Sequence, residues 1–242
     1  MTTPTTTAVN AVTTLSQDGE IAVLSINHPP VNALSQVVRQ GLLDGLQQAK
    51  ALPGVAALVL ICEGRTFLAG ADITEFGKPP QGPSLYRVQE EIESAPWPVV
   101  AAIHGTSLGG GFEVALCCHY RVAVPSAKCG LPEVHLGLLP GAGGTQRLPR
   151  IVGAARALEM VSSGSHVGAA ESLAIGLFDQ LVAEGQLRAG AIHFARQVLA
   201  DGRPLRKVRE SDAKLLADRG RPELFANFRA ANAKRFRGFL AP

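Results

Sequence analysis

Aromatic residues are scarce in this 242-residue chain: nine Phe, two Tyr and one Trp, or 5% of it. The core must therefore be built from Ala, Val, Leu and Ile, and a hydrophobic content of 46% supplies them. Charge is sparse as well. Charged residues make up 18% of the chain and the formal net charge is +3, too mild for a nucleic-acid surface but compatible with a small anionic ligand. No apolar run approaches the roughly 18 residues that a membrane span needs, so no membrane partner is expected. The four cysteines, Cys62, Cys117, Cys118 and Cys129, sit among apolar neighbours without CxxC spacing, which predicts buried free thiols rather than disulfides. His119 and His135 lie near three of them in sequence, yet no zinc spacing emerges and no metal is expected. No G-x-G-x-x-G occurs, so a Rossmann dinucleotide site is not expected.

A chain of this length suits one large domain or a domain with a small appendage, burying roughly 70–75% of its extended surface. Met1–Thr7 is Thr-rich without charged side chains, unlike a signal or transit sequence, and residues 1–10 read as a disordered tail. The cytoplasm is the default compartment. Two strands, 11–16 and 20–26, are joined at Asp18-Gly19, a hairpin signal. Ser35 is placed to cap a helix running to about Leu52, with Val38, Leu42, Leu43 and Leu46 on one face. Val55–Ile61, Pro98–His104 and Tyr120–Val124 are apolar runs of the kind that form strands covered on both faces. Helices are expected over Ser84–Ser94, Gly110–Cys118, from Gly144 to about Ser163, Ala169–Leu177, Leu187–Ala200 and Pro222–Arg237, with a last short strand at Asp179–Val182. The pattern is α/β with a helical C-terminal part: a core over 11–185 and a helical region over 186–242.

Glycine is plentiful, and three Gly-bearing loops after strands carry the unusual chemistry. The first, Thr66–Ile73, has small residues at 69–71 that let a ligand approach the main chain. In the second, Gly109, Gly110 and Gly111 open a helix that carries Glu113 in its first turn, an arrangement that points bare N–H groups at a ligand oxygen. The same loop spells Gly105-Thr-Ser-Leu-Gly109, a match to the G-x-S-x-G nucleophile elbow with Ser107 as nucleophile. That alternative needs a late acid and histidine, for which Asp179 and His193 are the available pair. The third loop brings Glu133 in an apolar, Pro-stiffened setting and ends in Gly141–Gly144, which has the look of a phosphate loop without its Gly-Lys-Ser/Thr ending.

Taken together, Phe67-x-Ala-Gly-Ala-Asp-Ile73, His104-Gly-x-x-x-Gly-Gly-Gly-x-Glu113, Leu131-Pro-Glu-x-x-Leu-Gly137 and Pro140-Gly-Ala-Gly-Gly-Thr-Gln-Arg-Leu148 resemble the enoyl-CoA hydratase/isomerase (crotonase) family. The likeness covers roughly residues 11–185. It is nearest to the hydratase part of multifunctional fatty-acid β-oxidation enzymes, to which Lys78-Pro-Pro80 and Ala123-Val-Pro-Ser-Ala-Lys128 also point. The resemblance implies a crotonase-like spiral of ββα units with a helical C-terminal region. It implies Glu113 and Glu133 as catalytic carboxylates, and the Ala71 and Gly110 N–H groups as the oxyanion hole for a thioester. Ala33, Ala69, Gly70, Asp72, Ile73, Gly109, Pro132 and Gly141 match substrate or CoA contacts. The implied partner is an acyl-CoA substrate, with coenzyme A part of the substrate and no separate cofactor. Family members often form homotrimers or hexamers. Having both glutamates favours hydration of trans-2-enoyl-CoA. Δ3–Δ2-enoyl-CoA isomerisation is the alternative activity, and a non-catalytic acyl-CoA-binding homologue is a further one.

Overall fold

The computed structural model describes residues 6–234 and 237. Ten strands are found among them: β1 (Thr6–Ala8), β2 (Thr13–Asp18), β3 (Ile21–Ile26), β4 (Ala57–Cys62), β5 (Val99–Ile103), β6 (Thr106–Leu108), β7 (Tyr120–Ala123), β8 (Lys128–Gly130), β9 (Val167–Gly168) and β10 (Gln180–Leu181). The helices are α1 (Gln36–Ala51), α2 (Leu85–Glu93), α3 (Gly110–Cys117), α4 (Gly144–Val152), α5 (Ala154–Ser163), α6 (Ala169–Ala174), α7 (Leu187–Ala200), α8 (Ala213–Asp218) and α9 (Glu223–Asn232). A seven-stranded sheet has the order β1-β2-β3-β4-β5-β7-β10, and a three-stranded sheet the order β6-β8-β9. Pairings are parallel from β3 through β4, β5, β7 and β10, and antiparallel among β1, β2 and β3.

Successive units climb the same way. β5 joins the large sheet, β6 the small one, and α3 follows; β7, β8 and α4 repeat the step. This is the expected spiral of ββα units. β4, β5 and β7 are buried at every position, as their uninterrupted apolar runs require. α3 is buried all round, so its apolar sequence is a helix wrapped on every side rather than an amphipathic one. α7 lays Ala191, Ile192, Phe194, Ala195 and Val198 against β4, β5 and β7.

Some expectations change. Within the expected tail, Thr6–Ala8 is a strand paired antiparallel with Ser16, Leu15 and Thr14, while residues 1–5 lie outside the described residues. The helix expected from Gly144 to Ser163 is two helices, because Gly153 between them adopts φ +84°. Ser35 stands at the N-cap of α1, but its hydroxyl makes no capping bond; the Glu75 carboxylate accepts the Gln36 N–H at 2.7 Å instead. The helix expected to reach Arg237 closes at Asn232, and residues 235 and 236 lie outside the described residues. All four cysteines are buried and free.

The glycine run is where the spiral is tightest. A Cβ on Gly111 would lie 2.0 Å from the Leu68 carbonyl oxygen, so main chain meets main chain there without room for a side chain. Gly111→Ala is expected to lower stability by about 1–3 kcal/mol, the usual cost of overpacking a filled interior. A urea unfolding midpoint equal to that of the wild type would refute this close approach.

Candidate active site

Each candidate N–H donor is placed by a loop that the rest of the chain ties down. Gly109, at φ +52°, turns the chain from β6 into α3 and anchors its own N–H on the Gly130 carbonyl at 3.0 Å. Gly110 is then the first residue of α3, where an N–H has no intrahelical acceptor. Ala71 is held from the other side. Leu34 N–H donates to Gly70 O at 2.8 Å, and Leu34 and Ala71 form a parallel bridge. A Cβ on Gly110 would sit 3.8 Å from the Ala71 nitrogen, so the two donors line one small space. Among the described residues neither N–H is donated to another protein group.

Glu113, 2% exposed, lies in the first turn of α3. Its Oε1 accepts the N–H of Ala142 at 2.8 Å and that of Gly144 at 2.7 Å, the second being the first residue of α4. Burial pushes the Glu113 carboxyl above its ordinary value, opposed by these two N–H bonds and by the Arg147 charge. Glu133 sits on a 3-10 helix, Pro132–Leu136, opened by the half-buried Pro132. Its Oε1 would stand 3.0 Å from a Cβ on Gly109, which brings this carboxylate against the turn leading to Gly110. Its Oε2 is buried without a hydrogen-bond partner among the described residues. Burial, with the Glu113 charge adding to it, pushes the Glu133 carboxyl up to about 6.

The remaining candidates are distributed around this centre. Ala33 is half-buried beside Leu34, and Ala69 is half-buried ahead of Gly70, whose φ is +109°. The Asp72 carboxylate is committed locally: it accepts from the Thr74 N–H at 2.9 Å and the Thr74 hydroxyl at 2.8 Å, which holds it below its ordinary value. Ile73 is exposed. Gly141 is exposed, and its carbonyl accepts the Tyr86 hydroxyl from α2. Beside Ala71, a cavity of about 420 Å³ is lined among others by Leu34, Arg39, Asp72, Phe76 and Lys78.

Ser107 is fully buried in β6, and its hydroxyl has no hydrogen-bond partner among the described residues. Asp179 faces Arg206 and the Arg121 N–H, while His193 is exposed on α7. The elements of a serine triad are thus not assembled. Among the described residues no group of His, Cys, Asp and Glu has the arrangement of a metal site, and no helix is long and apolar enough to cross a membrane.

Several working residues escaped the sequence reading. Ala142 and Gly144 are the donors to Glu113; the signal was there in the Gly141–Gly144 run before a helix, but what it receives is an internal carboxyl. Asn32, at φ +52°, clamps the loop before α1 by accepting from His28 N–H at 2.7 Å and donating to the Glu63 and Thr66 carbonyls at 2.8 Å each.

The family model described as enoyl-CoA hydratase/isomerase matches residues 16–226. A peroxisomal bifunctional enzyme of Danio rerio is 44% identical over 225 residues, which are 92% of this chain and 30% of that protein. The chain thus spans under a third of that relative's length. A Bacillus subtilis protein named "Probable enoyl-CoA hydratase" is 47% identical over 176 residues, 70% of this chain and 68% of that one. Among solved structures, an enoyl-CoA hydratase from Bacillus anthracis superposes with a TM-score of 0.69 at 32% identity, covering 81% of this chain and 76% of its own. A structure from Geobacillus kaustophilus HTA426 gives 0.75 at 25% identity, covering 96% and 97%. With that family model matching most of its length and these three loops in order, the chain belongs to the enoyl-CoA hydratase/isomerase (crotonase) family.

Proposed function

We propose that the chain hydrates trans-2-enoyl-CoA to 3-hydroxyacyl-CoA in fatty-acid β-oxidation. The observation that carries this reading is the contrast between two neighbouring carboxylates. Glu113 accepts two main-chain N–H bonds at 2.7 and 2.8 Å, which favour its ionised form, whereas Glu133 has a buried oxygen without a partner and is pushed up to about 6. Burial raises both carboxyls, and the two N–H bonds at Glu113 oppose that rise, which suits Glu113 as the base and Glu133 as the acid.

The roles follow from the bonds that must change. Glu113 takes a proton from water as its oxygen attacks Cβ of the enoyl thioester. Negative charge moves to the thioester oxygen, between the Ala71 and Gly110 N–H groups, and losing one such donor typically costs about 10²–10³ in rate. Glu133 gives its proton to Cα, and the charge returns from oxygen to carbon. Exchange with solvent then removes the proton from Glu113 and restores one to Glu133, so water and thioester balance the reaction and no separate cofactor enters. The oxygen of Glu133 without a partner also supports the second reading, a single-carboxylate shuttle between C2 and C4 that gives Δ3–Δ2 isomerisation. The four buried free thiols suit a reducing compartment, with the cytoplasm as the proposed one. A homotrimer or hexamer is the proposed assembly.

Hydration of crotonyl-CoA, followed by loss of enoyl absorbance, is expected to fall by about 10²–10⁴ in both Glu113→Gln and Glu133→Gln. A 3-enoyl-CoA substrate is expected to lose turnover in Glu133→Gln and keep most of it in Glu113→Gln. Full hydration by either variant would sink the mechanism.

Stability offers a separate check. Because the folded-state value of Glu133 lies above the ordinary carboxylate value, the folded protein holds this proton more tightly than the unfolded chain. The stabilisation is present at acid pH and is lost as pH rises through about 6. Glu133→Gln is therefore expected to raise Tm relative to wild type more at pH 8 than at pH 5. A Tm difference that does not change with pH would show that Glu133 titrates as a solvated carboxylate.

A further inference from the structure

We infer that Arg147 is a positioning residue for Glu113, acting through Ala142 and anchored by the buried Glu93. The inference rests on the reading of Glu113 as the base of the reaction. Arg147 projects from the first turn of α4, and its Nε and Nη2 donate to the two oxygens of Glu93 at 2.9 and 3.1 Å. Glu93, the last residue of α2, is fully buried. A planar fork bound to both oxygens of one carboxylate has a fixed orientation, which a lysine in its place would not have. The remaining Nη1 donates to the Ala142 carbonyl at 3.3 Å, and Ala142 in turn gives its own N–H to Glu113.

The loop is shaped to receive this guanidinium. Gly143 has φ +88°, and a Cβ there would lie 2.4 Å from Arg147 Nη1. The far side of Glu93 is met by Arg209, from the 3-10 turn Val208–Glu210, at 3.3 Å. Two arginines therefore share one buried carboxylate, and the segment after α7 reaches the support of the catalytic loop. A buried pair of this kind is weak evidence for stability as such, since apolar residues of the same volume often do as well. Its geometry has a use, because a shift of the fork tilts Ala142 and misdirects an N–H that Glu113 depends on.

Charge acts in the same direction. The groups that face Glu113 are Arg147 from α4, Glu133 from its 3-10 helix and Cys117 from the next turn of α3. Burial holds Cys117 well above its ordinary value and hence neutral. Arg147 is thus the positive charge that favours ionised Glu113, against burial.

The test is a 13C-carboxyl NMR titration of Glu113, assigned by its loss in Glu113→Gln, together with crotonyl-CoA hydration. Removing Arg147 by itself would leave the buried Glu93 with Arg209 at 3.3 Å and without its two-point partner, so the first variant is the double Glu93→Gln/Arg147→Met. It is expected to raise the Glu113 midpoint by about half a pH unit or more. It is also expected to lower kcat by about tenfold or more while KM stays within about twofold, since the effect is on alignment of the reacting groups. Arg147→Lys keeps the charge and leaves Glu93 paired. Its midpoint should return to the wild-type value while kcat stays low. A folded double variant with the wild-type midpoint overturns the electrostatic role, and wild-type kcat in Arg147→Lys overturns the role of the fork. Should the wild type fail to hydrate crotonyl-CoA, the hydratase reading falls, and the titration alone still decides whether Arg147 governs Glu113.

Discussion

The structure turns on one buried carboxyl held by main chain. Glu113 is almost wholly removed from water, and an ionised carboxylate there is tolerable only because Ala142 and Gly144 aim N–H groups at it from the start of α4. That contact ties the first turn of α3 to the first residue of α4, so two successive turns of the spiral must stack in register. Gly144 cannot be larger: a Cβ would lie 2.9 Å from both Glu113 Oε1 and Leu131 Cδ1. Gly105, with Arg65 O only 2.0 Å from its Cβ position, and Gly111 make the matching concessions one layer away.

The two proposed oxyanion donors, the Ala71 and Gly110 N–H groups, obey a related constraint. A main-chain N–H cannot be steered by its own side chain, so its direction must come from neighbours. Asn32 supplies this for the Ala71 side by clamping the strand-to-helix loop to Glu63 and Thr66, from which Leu34 bridges to Ala71. Arg39 and Glu75 extend the brace. Arg39 donates to the Leu34, Gln81 and Pro83 carbonyls and pairs with Glu75, whose other oxygen caps α1. The two donor segments thus arrive from different turns of the spiral, each tied down independently of any ligand.

Much of this was legible in the residues. Val55–Ile61, Pro98–His104 and Tyr120–Val124 read as buried strands and are found within a residue or two as β4, β5 and β7, since continuous apolar runs bounded by breakers have few other folds. Gly110–Cys118 was visible as a helix from its glycine opening. The small sheet was not, because β6, β8 and β9 are two or three residues long and a period cannot be read from so few. The strand Thr6–Ala8 escaped for another reason: its threonines are exposed, and only pairing with β2 makes them a strand. Ser35 had the right chemistry for a cap, but Glu75, 40 residues on in sequence, took its place at the Gln36 N–H. Arg147 was unreadable for the same reason, and Ala142 was visible only as part of a glycine run, since their acceptors Glu93 and Glu113 are brought to them by the spiral alone.

The unequal treatment of the two glutamates is the last consequence. A fold optimised for stability alone would give Glu133 Oε2 a donor, as it gives Glu113 two, because an unpaired buried polar atom is a standing cost. No neighbour meets it in the described residues, and the carboxyl is left near 6, where it exchanges a proton readily. Satisfying that oxygen with a local N–H would lower its proton affinity and make Glu133 resemble Glu113. Under the proposed mechanism the site would then hold two bases and no acid. The two carboxyls therefore differ in their main-chain donors, Glu113 meeting two N–H groups from the start of α4 and Glu133 its own N–H, which is why glycine-rich loops and not additional charged residues define this centre.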